Sequence, residues 1–322
     1  LSASSLEVYP VPMRGEWDLK AMIILQGLIR ALKIDLLHLH TSHAHTLGVG
    51  AAVLAPVPTV VHRRVDFPPA RHPLSSLKYG ARVHQYIAIS NAVARVLEAS
   101  AVAPDRISVV FSAIESPGPP DQEVGTLRRT LGLSSEAPVI GNIAQLVDHK
   151  GHSYLIQGMP EILSSYPGAK LLIVGSGPLR SKLEAQVAAL KLDGRVLFTG
   201  FRDDATELIQ LMDVFVMPSH LEGLNTSIMD ALARCRPVVA TTAGGIPEVV
   251  GEGGWLVPPR DPSALARAIL EALGTPQEAS RRAHIGQERI AESFSPERMS
   301  GGTHRAYQEA LEVFRRVSRP EV

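Results

Sequence analysis

The 322-residue sequence contains a single cysteine, Cys235, and has no net formal charge, because 32 Lys and Arg residues balance 32 Asp and Glu residues. One cysteine excludes an internal disulfide framework, and its apolar, helical surroundings favour a buried, unreactive thiol. The absence of net charge and of blocks of like charge argues against a nucleic-acid partner. The chain also lacks a run of about 18 apolar residues and a signal-peptide pattern, so we expect a cytoplasmic protein.

What the chain has is a regular alternation of two apolar patterns. Short apolar runs such as PTVVHRR, QYIAIS and AKLLIVG are followed by segments with helical apolar spacing, such as NAVARVLEAS and LRSKLEAQVAALK. Parallel strands need crossover helices, so this alternation predicts an α/β fold with two Rossmann-like, doubly wound parallel sheets. Residues 115–125 are rich in Pro and Gly and predict the linker, with domains at 1–118 and 119–296.

Two loops after predicted strands have the residues of a phosphate site. Lys150 stands beside Gly151 at the start of a predicted helix, so a cation and free helix N–H groups come together there. Gly175 and Gly177 follow the strand AKLLIVG and permit close approach of a backbone to a ligand. A solvated lysine and a plain tight turn explain these loops about equally well. The third glycine of the dinucleotide fingerprint is absent, which argues against a dehydrogenase.

A pair of acids follows the predicted strand DVFVMPS. Glu222 lies in the loop and Asp230 lies in the next helix, eight positions later. A favourable interaction with the helix dipole explains Glu222 alone. It explains Asp230 less well, because that helix is otherwise apolar and a charge there needs a partner. Carboxylates accept hydrogen bonds from neighbouring hydroxyls, so the pair suits a sugar ligand.

Several motifs occur in a characteristic order. The second half contains LVDHKG, VGSGPLR, VLFTGFRDD, EGLNTSIMD and GGIPEVV, and the first half contains DLLHLHTSHAH, VVHRRVDF and YIAISNAVARVL. Together they make the sequence resemble the family 4 retaining glycosyltransferases over nearly its whole length. The resemblance implies the GT-B fold, with two Rossmann-like domains facing a cleft and a C-terminal helix, residues 297–322, returning to the N-terminal domain. Those enzymes begin with a strand and a glycine loop that precede Leu1, so we expect an incomplete N-terminal domain.

The resemblance also implies roles for particular residues. His40 would face the donor sugar, Lys150 would bind the donor diphosphate, and Glu222 would hold sugar hydroxyls; these three are the expected catalytic residues. The expected donor-binding residues are Gln145, Gly175, Gly177, Pro178, Leu179, Phe198, Gly200, Phe201, Arg202, Gly223, Leu224, Asn225, Thr226 and Asp230. Among them, the backbone at 177–179 would contact the nucleotide, residues 198–201 would lie near the base, the backbone at 223–225 would meet the phosphates, and Asp230 would bind the ribose. Without the resemblance, we interpret His38 and His40 as alternating on a strand, one on each side, and as core histidines.

Two positions depart from the family pattern. Asp230 replaces a glutamate but keeps the carboxylate. Gln145 stands where these enzymes usually have an arginine, so one of two cations expected at the diphosphate is missing. No Asp-x-Asp pair follows a strand to bind Mg²⁺, and the family resembled is metal-independent, so we expect neither a metal nor a cofactor.

The sequence therefore predicts a retaining hexosyltransferase of EC 2.4 type that moves a hexose from a nucleotide diphosphate sugar to an acceptor hydroxyl. Two alternatives stay open: a non-catalytic sugar-nucleotide-binding or partner protein, favoured by Gln145, and a nucleotide-sugar epimerase of similar shape. A lipid-linked acceptor would bring the protein to the inner face of a membrane as a peripheral protein, although no strongly basic amphipathic helix is present.

Overall fold

The structure is a computed structural model that describes residues 6–67, 79–80, 82–118, 123–134 and 136–318. The chain divides into two compact units. The first comprises Leu1–Ile89, Ala94–Val110 and Ser300–Val322, and the second comprises Ser90–Val93 and Phe111–Met299. Part of the predicted linker, residues 119–122, lies outside the described residues. The domain boundaries expected at 118 and 296 stay predictions.

The first unit contains a four-stranded parallel sheet in the order β1-β2-β3-β4. The strands are β1 (Leu37–Leu39), β2 (Thr59–Arg63), β3 (Gln85–Ala88) and β4 (Ile107–Val109). The helices among them are α1 (Leu19–Ala31), α2 (Ser42–Leu54) and α3 (Asn91–Glu98), of which residues 91–93 belong to the second unit. Side-chain caps determine where the first two helices begin. The Asp18 carboxylate accepts hydrogen bonds from the first-turn N–H groups of α1, and the Thr41 hydroxyl does the same for α2.

The second unit contains a six-stranded parallel sheet in the order β10-β9-β8-β5-β6-β7. Its strands are β5 (Val139–Ile143), β6 (Lys170–Val174), β7 (Val196–Gly200), β8 (Val214–Met217), β9 (Val238–Thr241) and β10 (Trp255–Val257). Within the unit this is the Rossmann strand order, and the order reverses between β5 and β8. The carboxyl ends of β5 and β8 therefore form the edge where such sheets bind ligands. The predicted α/β class with two parallel sheets is confirmed.

Helices connect these strands and cover the sheet. They are α4 (Val124–Thr130), α5 (His152–Ser165), α6 (Arg180–Ala189), α7 (Thr226–Ala233), α8 (Ile246–Val250), α9 (Pro262–Gly274) and α10 (Pro276–Ser293). Helix α11 (Pro296–Ser318) begins in the second unit and belongs to the first from Ser300 onward. The strands β8 and β9 are buried at every position, which explains why they read as continuous apolar runs.

Two local predictions need correction. The segment ATELIQLM, residues 205–212, predicts an α-helix, but only a 3-10 helix forms there, Glu207–Leu211. The segment AGGIPE, residues 243–248, predicts a loop, but α8 begins at Ile246, where Pro247 is well placed because a helix's first turn needs no N–H donor. Cys235 is partly exposed, and burial raises the pKa of its thiol, which disfavours a reactive thiolate. Within the described ranges, no helix has the length and apolarity needed to cross a bilayer.

Candidate functional site

A lysine and a glutamate meet at the carboxyl ends of β5 and β8. Lys150 closes a 3-10 turn after β5, and Glu222 lies in the loop between β8 and α7. Nζ of Lys150 lies 2.5 Å from Oε2 of Glu222, and the two side chains are only 18% and 10% exposed. Nδ2 of Asn225 donates to the same oxygen at 2.8 Å. The structure thus joins a cation and a carboxylate, 72 positions apart, at the reversal point of the sheet.

Gly151 makes this meeting possible. Its φ is +72°, in the left-handed region, and a Cβ on it would lie 2.0 Å from the carbonyl oxygen of Pro218. A backbone hydrogen bond joins the same two loops, because the N–H of His220 donates to the carbonyl of His149 at 2.9 Å. The loop after β5 is therefore packed directly against the end of β8, which a side chain at this glycine would prevent.

Helix α7 points its first turn toward this pair of charges. Asn225 caps the helix, since its Oδ1 accepts from the N–H of Ile228 at 2.9 Å while its Nδ2 holds Glu222. One amide thus fixes both the helix start and the carboxylate. The first-turn N–H groups and Lys150 both supply positive potential, so the place suits an anion.

The loops after β5 and β6 approach each other at two glycines. Gly175 has a φ of +141°, and a Cβ on it would lie 2.1 Å from the carbonyl oxygen of Ala144. A Cβ on Gly177 would lie 2.5 Å from the carbonyl oxygen of Leu146. Both predicted glycines are therefore needed for backbone packing within the protein. This close contact is with the protein's own chain, so it does not by itself indicate a ligand.

The same packing limits what residues 177–179 can offer to a nucleotide. The N–H of Leu179 donates to the carbonyl of Leu146 at 3.1 Å, and the N–H of Arg180 donates to that of Gly177 at 3.2 Å. A helix that begins near Leu179 is expected from the sequence to present unpaired first-turn N–H groups. Those two groups are already bonded, so this expectation is wrong for them.

A cavity of about 390 Å³ opens beside these loops. Its lining consists of Ile143, Ala144, Gln145, Val174, Gly175, Ser176, Phe201, Arg202, Ala205 and Ser227. Four of the ten were predicted donor-binding residues: Gln145, Gly175, Phe201 and Arg202. The others are mainly strand-end residues with no chemical signature; their position directly after β5 and β6 was the signal available in the sequence.

Two side chains give the cavity its polar and aromatic character. Phe201 is 74% exposed, unusual for a large apolar side chain, and its ring is available for stacking. The Arg202 guanidinium forms a fork to Asp204, with Nε at 2.7 Å and Nη2 at 2.6 Å from its two carboxylate oxygens. This pairing lowers the pKa of Asp204 and raises that of Arg202. The fork keeps the arginine at the cavity wall.

Other predicted residues are not part of the cavity lining. Phe198 and Leu179 pack against the hydrophobic core of the second unit, and the Arg180 guanidinium lies 4.6 Å from the centre of the Phe198 ring. Gly200 ends β7, and its carbonyl accepts from the N–H of Gly175 at 2.8 Å. Pro178 is not part of the cavity lining either.

The residues around the α7 start differ in exposure. Gly223 and Leu224 are buried in the loop before α7, whereas Thr226 is exposed at the first position of the helix. Burial raises the pKa of the Asp230 carboxyl, and the nearby Arg234 guanidinium opposes this shift. Asp230 follows the cavity residue Ser227 by three positions, so both share one face of α7.

The sequence missed a buried amide that joins the two critical strands. Asn142 on β5 is fully buried, and its Nδ2 donates to the carbonyl of Val216 on β8 at 2.7 Å. This hydrogen bond fixes the spacing of the strands whose ends carry Lys150 and Glu222. A polar residue inside an apolar strand run was the available signal.

In the first unit, His40 lies just beyond β1, close to two other histidines. Its ring centre is 4.0 Å from that of His38 and 5.3 Å from that of His62 on β2. The interpretation that His38 and His40 face opposite sides is wrong, because residues two apart on a strand point to the same face. His40 is exposed rather than in the core.

Comparison with known families accounts for most of the chain. A family model described as Glycosyltransferase Family 4 matches residues 3–116, and one described as Glycosyl transferases group 1 matches residues 137–275. The chain belongs to the family 4 glycosyltransferases. Both halves of the predicted resemblance are thereby confirmed.

Relatives of known name are similar over part of their length. The 2-deoxystreptamine glucosyltransferase of Streptomyces kanamyceticus is 32% identical over 241 residues, which is 71% of this chain and 59% of that protein. The GDP-mannose-dependent monoacylated alpha-(1-6)-phosphatidylinositol monomannoside mannosyltransferase of Corynebacterium glutamicum is 32% identical over 186 residues, 54% of this chain and 49% of that one. This family 4 chain thus spans about half the length of the curated relatives it matches.

Solved structures agree with the fold. Anabaena Alr3699/HepE, crystallised in complex with UDP, matches with a TM-score of 0.78 at 22% identity, covering 93% of this chain and 81% of that one. A glycosyltransferase from Rickettsia africae ESF-5 matches with a TM-score of 0.81 at 18% identity, covering 95% and 85%. The predicted GT-B class of this glycosyltransferase chain is confirmed.

Proposed function

We propose that this chain transfers a hexose from a nucleotide diphosphate sugar to an acceptor hydroxyl, with retention of anomeric configuration and without a metal ion. The observation that carries the proposal is the pairing of Lys150 with Glu222 next to a cavity at the reversal point of the second sheet. The printed names of relatives support it, since one is a glucosyltransferase and another a GDP-mannose-dependent mannosyltransferase.

The main physical requirement of such a transfer is stabilisation of the charge that develops on the leaving group. As the bond between the anomeric carbon and the diphosphate breaks, negative charge develops on the departing phosphate oxygens. In our proposal, Lys150 and the first turn of α7 stabilise this charge, because both are fixed in place before the reaction begins. Glu222 keeps Lys150 in position until the donor arrives, and its carboxylate then accepts hydrogen bonds from sugar hydroxyls.

The cavity offers a place for the nucleoside. Phe201 would stack on the base, and Asp230, on the same face of α7 as Ser227, would accept hydrogen bonds from the ribose hydroxyls. Gln145 lines the cavity with an uncharged amide, so Lys150 would carry the positive charge that an arginine shares in the family pattern. This division of roles makes Lys150 more important here than a lysine helped by an arginine.

Neither acid acts as a nucleophile in this scheme. In glycoside hydrolases two carboxylates flank one scissile bond. Here Glu222 is bound to Lys150 and Asn225, whereas Asp230 lies in the middle of α7, so we assign them to different parts of the donor. His40 remains a proposed catalytic residue on the family resemblance.

A turnover assay tests the proposal. The protein is incubated with UDP-, GDP- and ADP-linked hexoses, with either an aminocyclitol or a lipid-linked hydroxyl acceptor, and the product is analysed for its anomeric configuration. We expect a disaccharide or glycoside with the configuration of the donor, and a chelator should not lower its rate of formation. Inversion, or loss of transfer on chelation, would contradict the corresponding part of the proposal.

The non-catalytic alternative has one observation in its favour, the neutral Gln145 at the cavity wall. A protein of that kind would bind a nucleotide sugar tightly without forming product with any acceptor. An epimerase would instead change the sugar in the absence of an acceptor, so the same product analysis separates all three functions. An acceptor that is active only in lipid vesicles would add peripheral membrane contact to the proposal.

A further inference from the structure

Three histidines meet at the carboxyl ends of β1 and β2. His38 lies in β1, His40 lies one residue beyond it, and His62 lies in β2. The register pairs Leu39 with Val61, so the next step along both strands places His40 level with His62. One nitrogen from each ring lies within 4.8 Å of the others. Parallel strands ending at one edge thus bring together three side chains that often bind metals.

Several nitrogens of this cluster lack partners within the protein. Among the described residues, nothing hydrogen-bonds Nε2 of His38 or either ring nitrogen of His62, although all three atoms are buried. A buried polar atom without a partner destabilises the fold, so such atoms call for an explanation. A ligand bound between the rings would satisfy them.

We propose that His38, His40 and His62 bind a divalent transition-metal ion of the zinc class. Three imidazoles with no carboxylate are a ligand set that suits Zn²⁺, Co²⁺, Ni²⁺ or Cu²⁺ and not Mg²⁺ or Ca²⁺, which prefer oxygen. Zinc sites with three histidines keep a fourth position open for water or another oxygen ligand. The site shares His40 with the transfer reaction proposed above but uses no residue of the second unit, so its test measures ion binding and not turnover.

To bind one ion, the three imidazole rings must move slightly closer together. Zn–N bonds of about 2.0 to 2.1 Å in a tetrahedron place ligand nitrogens about 3.3 Å apart, so the rings would approach by up to about 1.5 Å. His40 is exposed, and rotation of its side chain can supply this movement without disturbing the core. His38 and His62 are held more firmly, since their rings stack 5.5 Å apart at an interplanar angle of 9°.

Tyr307 on α11 contacts the ring of His38 and orients it. Its hydroxyl lies 2.8 Å from Nδ1 of His38. Metal-binding histidines usually bond their other ring nitrogen in this way, which orients the ring. With Nδ1 donating to the tyrosine oxygen, the lone pair of His38 is on Nε2, the buried nitrogen that lacks a partner.

The low pKa values of the three imidazoles favour metal binding, whereas a neighbouring positive charge opposes it. Burial lowers the pKa of His38 to about 4 and that of His62 to about 3, and burial also lowers the pKa of His40. The imidazoles are therefore neutral at neutral pH, the form that binds metals. The Arg64 guanidinium also lowers the pKa values of His40 and His62, and its charge will weaken the affinity for a cation.

The test uses the full chain, freed of metal by a chelator and then dialysed. Titration with Zn²⁺ in a calorimeter should show one ion bound per chain, Co²⁺ should give the visible absorption of tetrahedral coordination, and Mg²⁺ should give no heat. Tyr307→Phe should weaken Zn²⁺ binding by about tenfold, and His62→Ala should weaken it further. His304→Ala is the matched control, because His304 is exposed on the helix that carries Tyr307.

His40→Ala tests the site with a variant that should still fold, because this side chain is exposed and lies just past the strand. It should lose the Co²⁺ spectrum while keeping the circular dichroism and melting temperature of the parent. The proposal is overturned if the parent gives no tetrahedral Co²⁺ spectrum. It is also overturned if Zn²⁺ binds the His40→Ala protein with unchanged affinity.

Discussion

Replacement of Lys150 by alanine is the strongest test of the donor site. Its ammonium group lies 2.5 Å from Glu222, and both side chains are mostly buried. Removal of one preorganised group that faces a developing oxyanion costs about 10²- to 10³-fold in kcat. Since no arginine stands at Gln145 to share the charge, we expect Lys150→Ala to reach the upper part of that range.

The same substitution should also lower stability. Removal of one partner of a buried ion pair costs about 3 to 5 kcal/mol, because the other charge stays buried. Here Asn225 still donates to Glu222 and both side chains keep some exposure, so we expect about 2 kcal/mol in urea unfolding. Lys182→Ala, at an exposed position on α6, should change neither kcat nor stability.

A double variant separates the two roles of the lysine. Lys150→Met combined with Glu222→Gln removes both charges and keeps similar volumes, so it should recover much of the lost stability. Transfer should stay slow, because no cation faces the leaving group. A Lys150→Ala protein that transfers as fast as the parent would refute the assignment of the diphosphate to this site. Recovery of transfer in the double variant would refute it as well.

Three further predictions concern the same unit. Gly151→Ala should destabilise the protein by more than Gly194→Ala, because both glycines have a positive φ but only Gly151 has a carbonyl oxygen 2.0 Å from the new Cβ; equal thermal shifts would contradict the packing argument. Ala205→Phe should fill the cavity and weaken UDP or GDP binding in a calorimeter, and unchanged affinity would place the nucleoside elsewhere. Burial raises the pKa of Asp230 above 3.8, so the native state holds this proton more tightly than the unfolded state, and parent stability should fall as pH rises through that pKa. In urea unfolding at a series of pH values, Asp230→Asn should not show that fall in stability, and the variant should also bind the nucleotide more weakly. If the stability of the variant changed with pH in the same way as that of the parent, the role of burial would be contradicted.

Local pattern was sufficient to locate the strands of the second unit. The runs AKLLIVG and RVLFTG contain β6 and β7, and DVFVMPS contains β8. Buried parallel strands are apolar on both faces, so each strand can be recognised from its own sequence without knowledge of its neighbours. The Glu222 loop and the Gly175 turn could be read in the same way, because loops at the carboxyl ends of parallel strands form the ligand side of the sheet.

Local pattern failed where the outcome depended on a distant contact. Local pattern did not show that the Phe198 ring packs on the core and under the Arg180 guanidinium, and its place near the base stays a prediction. The Leu179 N–H was expected to be free, but it is bonded to Leu146 of another loop. The competing partner is 18 positions away for Phe198 and 33 positions away for Leu179, and periodicity carries no information about contacts at such distances along the chain.

The sequence by itself determined the α/β class, the strand runs, the family and the residues with the right chemistry for an anion and a sugar. Only the tertiary structure decided which of them meet. Lys150 contacts Glu222 across 72 positions because Gly151 lets one loop rest on the end of β8. His40 joins His38 and His62 because two parallel strands end at one edge. Side-chain identity is encoded locally, whereas proximity is a property of strand order and register, which long-range packing of the whole sheet decides.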